Sequence, residues 1–112
     1  MIITIADYKA VAEDKSKSDT VITYGLETAQ KIVEKYLNYS LETDKSYTNA
    51  TCPSAIKLTI ILIAQTVLKN IGTGGYSNQL NMGNGTIQID TMKYYKYFDF
   101  IKSYAERNPF LN

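Results

Sequence analysis

Apolar side chains recur at helical spacing in four stretches of the chain, separated by polar segments that carry capping and turn residues. The first stretch is Ile5, Tyr8, Val11 and Ala12. It follows Thr4, and Asp7 three positions on completes the acidic form of a capping box, so a short helix is predicted to run to about Glu13. The polar connector Asp14-Lys15-Ser16-Lys17-Ser18 breaks the period, and either Ser18 or Asp19 can cap the next element. From Thr20 to about Asn38 the set Ile22, Leu26, Ala29, Ile32, Val33, Tyr36 and Leu37 makes one apolar stripe. Glu27, Lys31, Glu34 and Lys35 fall mainly on the opposite face, with Glu27 and Lys31 in the favourable i,i+4 order.

Residues Tyr39 to Cys52 are polar and aperiodic and read as a loop. Pro53 takes the first position of a third helix, which extends to Ile71 and stops at Gly72. This segment is apolar around much of its circumference, which predicts the central helix of the fold. Its β-branched content would suit a strand, but its length, its Pro start and Ala64, Gln65 and Lys69 favour a helix. A last helix is expected from Asp90 as N-cap, burying Met92, Tyr95, Phe98, Ile101, Tyr104 and Ala105, until Asn108-Pro109 ends it.

Between the third and last helices, residues 70–89 form twenty consecutive positions without a formal charge, with glycines at 72, 74, 75, 83 and 85. Asn84-Gly85 before Thr86-Ile87-Gln88-Ile89 combines a type I′ turn signal with an alternating strand pattern, so the segment is either a long Gly-rich loop or a short β-hairpin. The expected fold is all-α: a small four-helix bundle-like domain spanning residues 1–112, with this excursion before its last helix. A solvating surface loop is one reading of it. Ordering against a partner is the other, favoured by Tyr76, Leu80, Met82, Ile87 and Ile89, because aromatic and Met side chains suit interface centres.

Composition narrows the chemistry. The chain has ten tyrosines, no histidine and no tryptophan, and twelve basic side chains stand against eleven acidic ones. Without histidine the commonest general acid/base and nitrogen metal ligand is missing, so no catalytic, cofactor-binding or metal residue is assigned and no enzyme is expected. Cys52 cannot form an internal disulfide, and with no imidazole to activate it we read it as structural. Asp7, Glu13, Asp14 and Asp19 lack the order of a calcium loop and are interleaved with Lys15 and Lys17, which suits a solvated connector. Gly72-Thr73-Gly74-Gly75 follows a helix where a dinucleotide fingerprint needs a strand, so it is read as a helix stop. The apolar run around Leu58 to Ala64 is shorter than the ~20 residues that cross a bilayer, and no membrane partner is expected.

The near-balanced charge also argues against a protein built chiefly to grip nucleic-acid phosphates. One cluster leaves that alternative open: Lys93, Tyr94, Lys96 and Tyr97 mix bases with aromatics and lie off the expected core stripe, so they are candidates for contact with a neighbouring protein or with nucleic acid. Residues 1–50 carry six basic and eight acidic groups, and 51–112 six basic and three acidic. That asymmetry would help identical subunits meet acidic half to basic half, the heterologous contact that closes into rings.

The succession Ile3-Thr4-Ile5-Ala6-Asp7-Tyr8-Lys9, an amphipathic helix with Ala29, Ile32-Val33-Glu34 and Tyr36-Leu37, the Pro53 helix containing Ile56 to Gln65, a long polar loop and a final aromatic helix resembles the head-tail connector (adaptor, head-completion) proteins of tailed bacteriophages. The likeness spans nearly the whole chain. It departs from the family pattern at Val67 to Ile71 and at Gly83 to Ile89. The resemblance implies a non-enzymatic virion protein, made in the host bacterial cytoplasm, that forms a homo-oligomeric ring below the portal. Such a ring would extend the DNA channel, with DNA passing through unread, and would dock a tail or stopper protein.

Overall fold

The computed structural model describes residues 1–12, 16–71 and 94–105. Among these it contains four α-helices and a terminal 3-10 turn, and no strand: α1 (Ile5–Val11), α2 (Asp19–Leu37), α3 (Ser54–Ile71), α4 (Tyr95–Phe98) and the 3-10 segment Asp99–Tyr104. The all-α expectation holds at that level. The hairpin or loop at 70–89 lies almost wholly outside the described residues, as do Asp90, Met92, Lys93 and the expected stop at Asn108-Pro109.

Local hydrogen bonding fixes the helix starts. Thr4 Oγ1 accepts the Asp7 N–H at 3.0 Å and the Asp7 carboxylate accepts the Thr4 N–H at 3.3 Å, so the capping box closes in both directions. Ser18, of the two candidates, caps α2 by accepting the Val21 N–H at 3.3 Å. At the other end Asn38 takes the left-handed conformation, φ 70°, and its N–H closes on the Glu34 carbonyl. Helix α3 begins one residue after Pro53, whose carbonyl accepts the Lys57 N–H.

The stripe predicted for α2 is buried as expected at Ile22, Leu26, Ala29, Ile32, Val33 and Leu37, with Tyr36 partly buried against the same core. It packs mainly on α3, which contributes Ile56, Ile60, Ile61, Ile63, Ala64, Val67 and Leu68. Helix α3 also meets α4 and the 3-10 segment, so it is the element on which the others converge. Its one buried hydroxyl, Thr59, donates back to the Ala55 carbonyl at 2.8 Å.

The aperiodic segment after α2 is a loop, as expected, and it is tied to the core: Leu41 is fully buried, its N–H held by Glu34 at 2.8 Å, while Ser40 and Asp44 bond each other's backbone. The N-terminal residues are drawn in beside it. Ile2 and Ile3 are buried, Ile2 N–H donates to Gln30 Oε1 at 2.9 Å, and Asn49 Nδ2 donates to the Ile2 carbonyl at 2.9 Å.

One correction concerns the last helix. Among the described residues it is one α-turn followed by a 3-10 segment, and its core members are Tyr94, Phe98 and Ile101. Tyr95 and Tyr104, expected inside, are exposed, and Tyr94, expected outside, is 2% exposed. Exchanging Tyr95 for its neighbour while Phe98 and Ile101 stay inside turns the buried face by about a third of the ~100° between adjacent residues. The partners decide that rotation: Phe98 stacks on Tyr36 with ring centroids 4.2 Å apart and planes 9° from parallel, and Tyr39 Oη donates to the Tyr104 carbonyl at 2.8 Å. The second contact holds the backbone, not the side chain, of Tyr104 against the fold.

Candidate functional site

The residues singled out for contact separate into three groups. Tyr76, Leu80, Met82, Ile87 and Ile89, with Lys93, lie outside the described residues. Tyr94 belongs to the core, which removes it as a surface platform. Tyr97 and Lys96 remain at the surface: Tyr97 is partly buried, its hydroxyl 3.2 Å from that of Thr66 on α3, and the Lys96 ammonium lies 5.1 Å from the Tyr97 ring centroid.

The rotated last turn instead turns other rings outward. Tyr95 is 61% exposed and Phe100 55%, with Tyr104 also open to solvent. Phe100 carries the signal that sequence reasoning missed. Once Phe98 and Ile101 are placed inside, position 100 cannot share their face, and a large apolar ring left in water is a feature of surfaces that meet other surfaces.

The remaining chemistry-bearing side chains are engaged in holding the fold. Asp7, besides capping α1, accepts a hydrogen bond from Asn49 Nδ2 across 42 positions of sequence. That bond, with those from Thr4 and the positive charge of Lys57, holds its carboxyl below the ordinary aspartate range. Lys57 Nζ in turn donates to the Asn49 carbonyl at 3.0 Å, so α1, the loop and α3 meet at one polar clamp. A second clamp joins Gln30 to Glu42 at 2.9 Å, and Glu42 also pairs with the Met1 amine at 2.7 Å. These bonds keep the Glu42 carboxyl below its usual range.

Asp19 pairs with Lys9 at 3.2 Å on the surface and stands apart from the Asp7 clamp. Among the described residues no three of Cys, Asp or Glu come together in a way that would hold a metal ion. Cys52 is buried, and burial pushes its thiol up to about 11, so at neutral pH it is a protonated, weakly nucleophilic group. No helix among the described residues is long and apolar enough to cross a membrane.

The arrangement can clamp helices and present aromatic surface. No protein-family model, no curated protein and no solved structure matches the chain.

Proposed function

We propose that this protein is a non-enzymatic structural adaptor of a tailed-bacteriophage head-tail junction. Its subunits form a ring below the portal, extend the DNA channel and dock the next tail component, and the protein is carried in the virion after synthesis in the host cytoplasm. The subunit is a small four-helix bundle-like domain, with residues 70–89 as a Gly-rich loop or short hairpin used for contact.

One observation carries the reading. In the sequence, a charge-free segment containing Tyr76, Leu80, Met82, Ile87 and Ile89 stands between α3, which packs on α2, and Tyr94, itself locked in the core. A segment of that composition between two packed elements of the sequence suits a protein whose work is to pack against other proteins. The exposed rings of Tyr95 and Phe100 just beyond it in the sequence add apolar surface, and the sign asymmetry between the two halves of the chain suits head-to-side subunit contacts.

The nucleic-acid alternative loses its main platform. Tyr94 is buried and Tyr97 is tied to Thr66, so of the basic-aromatic cluster only Lys96 stands free of the core among the described residues.

Native mass measurement with electron microscopy of the protein alone, and mixed with the portal protein of the phage this reading implies, tests the proposal. A ring or a portal complex is the expected outcome. Absence of both at high protein concentration, with the portal present, overturns it.

A further inference from the structure

Beside the last turn the fold leaves an open cleft of about 410 Å³, walled by the C-terminal half of α3, by α1 and by Tyr97. Its size is that of a small-molecule site. Lys17 enters from the connector before α2 and Lys69 from the last turn of α3, and among the described residues no acidic side chain lines the space. Among the described residues, neither Lys17 nor Lys69 pairs with a carboxylate.

The same wall carries one neutral donor, the Gln65 amide, beside the hydroxyls of Thr66 and Tyr97, whose protons are already placed: Thr66 donates to the Leu62 carbonyl and Tyr97 to Thr66. The rest of the wall is apolar and aromatic, from Leu62, the ring of Tyr97 and the buried Tyr8.

We infer that this cleft binds a phosphate-bearing ligand with a flat apolar body, of the size and chemistry of a nucleotide. Two ammonium groups match the near-dianionic charge of a phosphate monoester at neutral pH, and Lys serves such groups as a point charge. The Gln65 amide supplies a directed donor to its oxygens. The tyrosine and leucine wall gives a base or similar planar group a surface to lie on. The site stands apart from the exposed rings of Tyr95 and Phe100 and does not depend on ring assembly.

The full 112-residue protein, titrated with adenosine monophosphate, adenosine and inorganic phosphate and followed by amide NMR shifts, tests the assignment. Saturable shifts at Gln65, Thr66, Lys69 and Tyr97 are expected with the monophosphate, and inorganic phosphate should compete for them. Adenosine should bind about tenfold more weakly or worse, as should the monophosphate to the Lys17→Gln, Lys69→Gln double variant. Both lysines reach solvent, so the variant should melt like the parent. A short single strand with a terminal phosphate, compared with the same strand without it, separates a nucleic-acid end from a free nucleotide as the source, and phosphate-dependent binding of either supports the site. No saturable shift with the monophosphate, equal binding of adenosine, or unchanged affinity in the double variant overturns it.

Discussion

Gly25 on α2 and Leu68 on α3 approach so closely that a β-carbon on Gly25 would lie 2.6 Å from Leu68 Cγ and 2.7 Å from its Cδ2. A glycine in mid-helix ordinarily costs about 1 kcal/mol relative to alanine, so on propensity alone Gly25→Ala should stabilise the protein. Packing opposes that gain. Leu68 is fully buried and has no solvent to swing into, and overpacking of this kind costs about 1–3 kcal/mol. The expected net result is a loss of stability of up to about 2 kcal/mol in denaturant unfolding. A variant as stable as the parent, or more so, would show that α2 and α3 can part at little cost.

The clamp between Asp7 and Asn49 should set part of the acid limb of stability. Because the folded Asp7 carboxyl is held below its ordinary value near 3.8, its contribution is fully present above that pH and is lost as pH falls through the lower folded value. Asn49→Ala removes the largest cause of the depression. It should move the acid-unfolding midpoint to higher pH and cost about 1 kcal/mol at neutral pH, read by circular dichroism. An unchanged acid limb would mean that the Thr4 capping bonds suffice.

Cys52 gives the opposite sign. Burial raises its thiol to about 11, above the unfolded value near 9.0, so the folded chain keeps a proton that the unfolded chain gives up first. The stability this contributes is complete below pH about 9 and is lost as pH rises toward about 11. Cys52→Ala should flatten that alkaline decline relative to the parent. In the native protein at neutral pH, thiol reagents should react with Cys52 much more slowly than with a free thiol, and denaturant should remove the difference.

What the chain reveals by inspection follows the range of the interactions. The capping box at Thr4 and Asp7 and the Ser18 cap join residues three apart, and the α2 stripe is a single clean period, so each could be read directly. The last turn could not. From Tyr94 to Ile101 six of eight positions are aromatic or aliphatic, and helical spacing fits Tyr95, Phe98 and Ile101 as well as Tyr94, Phe98 and Ile101. The choice between them rests on Tyr36 and Tyr39, nearly sixty positions earlier or more, which no local pattern reports. The anion cleft is hidden for the same reason, since Lys17, Lys69 and Tyr97 come from three separate elements.

The Tyr36–Phe98 stack is the contact on which that register turns. Phe98 is buried, and its removal takes away both ring packing and the stacking geometry. Phe98→Ala should cost about 3–4 kcal/mol and strip hydrogen-exchange protection from residues 95–104 before the rest of the fold. Loss confined to that turn would show it to be a separately opening unit. Global unfolding without the local phase would show α3 and the last turn to be one cooperative body.

Neighbouring rings in the last turn should behave in opposite ways if the described register governs both folding and assembly. Tyr94 is fully packed, so Tyr94→Ala should destabilise by about 3 kcal/mol. Tyr95 and Phe100 face solvent, so Tyr95→Ser and Phe100→Ser should leave stability within about 0.5 kcal/mol of the parent. Under the adaptor reading, those two exposed substitutions should nevertheless weaken self-association or portal binding, because a large ring lost from an interface centre costs binding without touching the monomer. Melting temperature and native mass distribution, measured on the same three variants, separate the two effects. A register with Tyr95 inside would reverse the stability order. Unchanged assembly in both exposed variants would move the contact surface away from this turn and onto the charge-free segment before it.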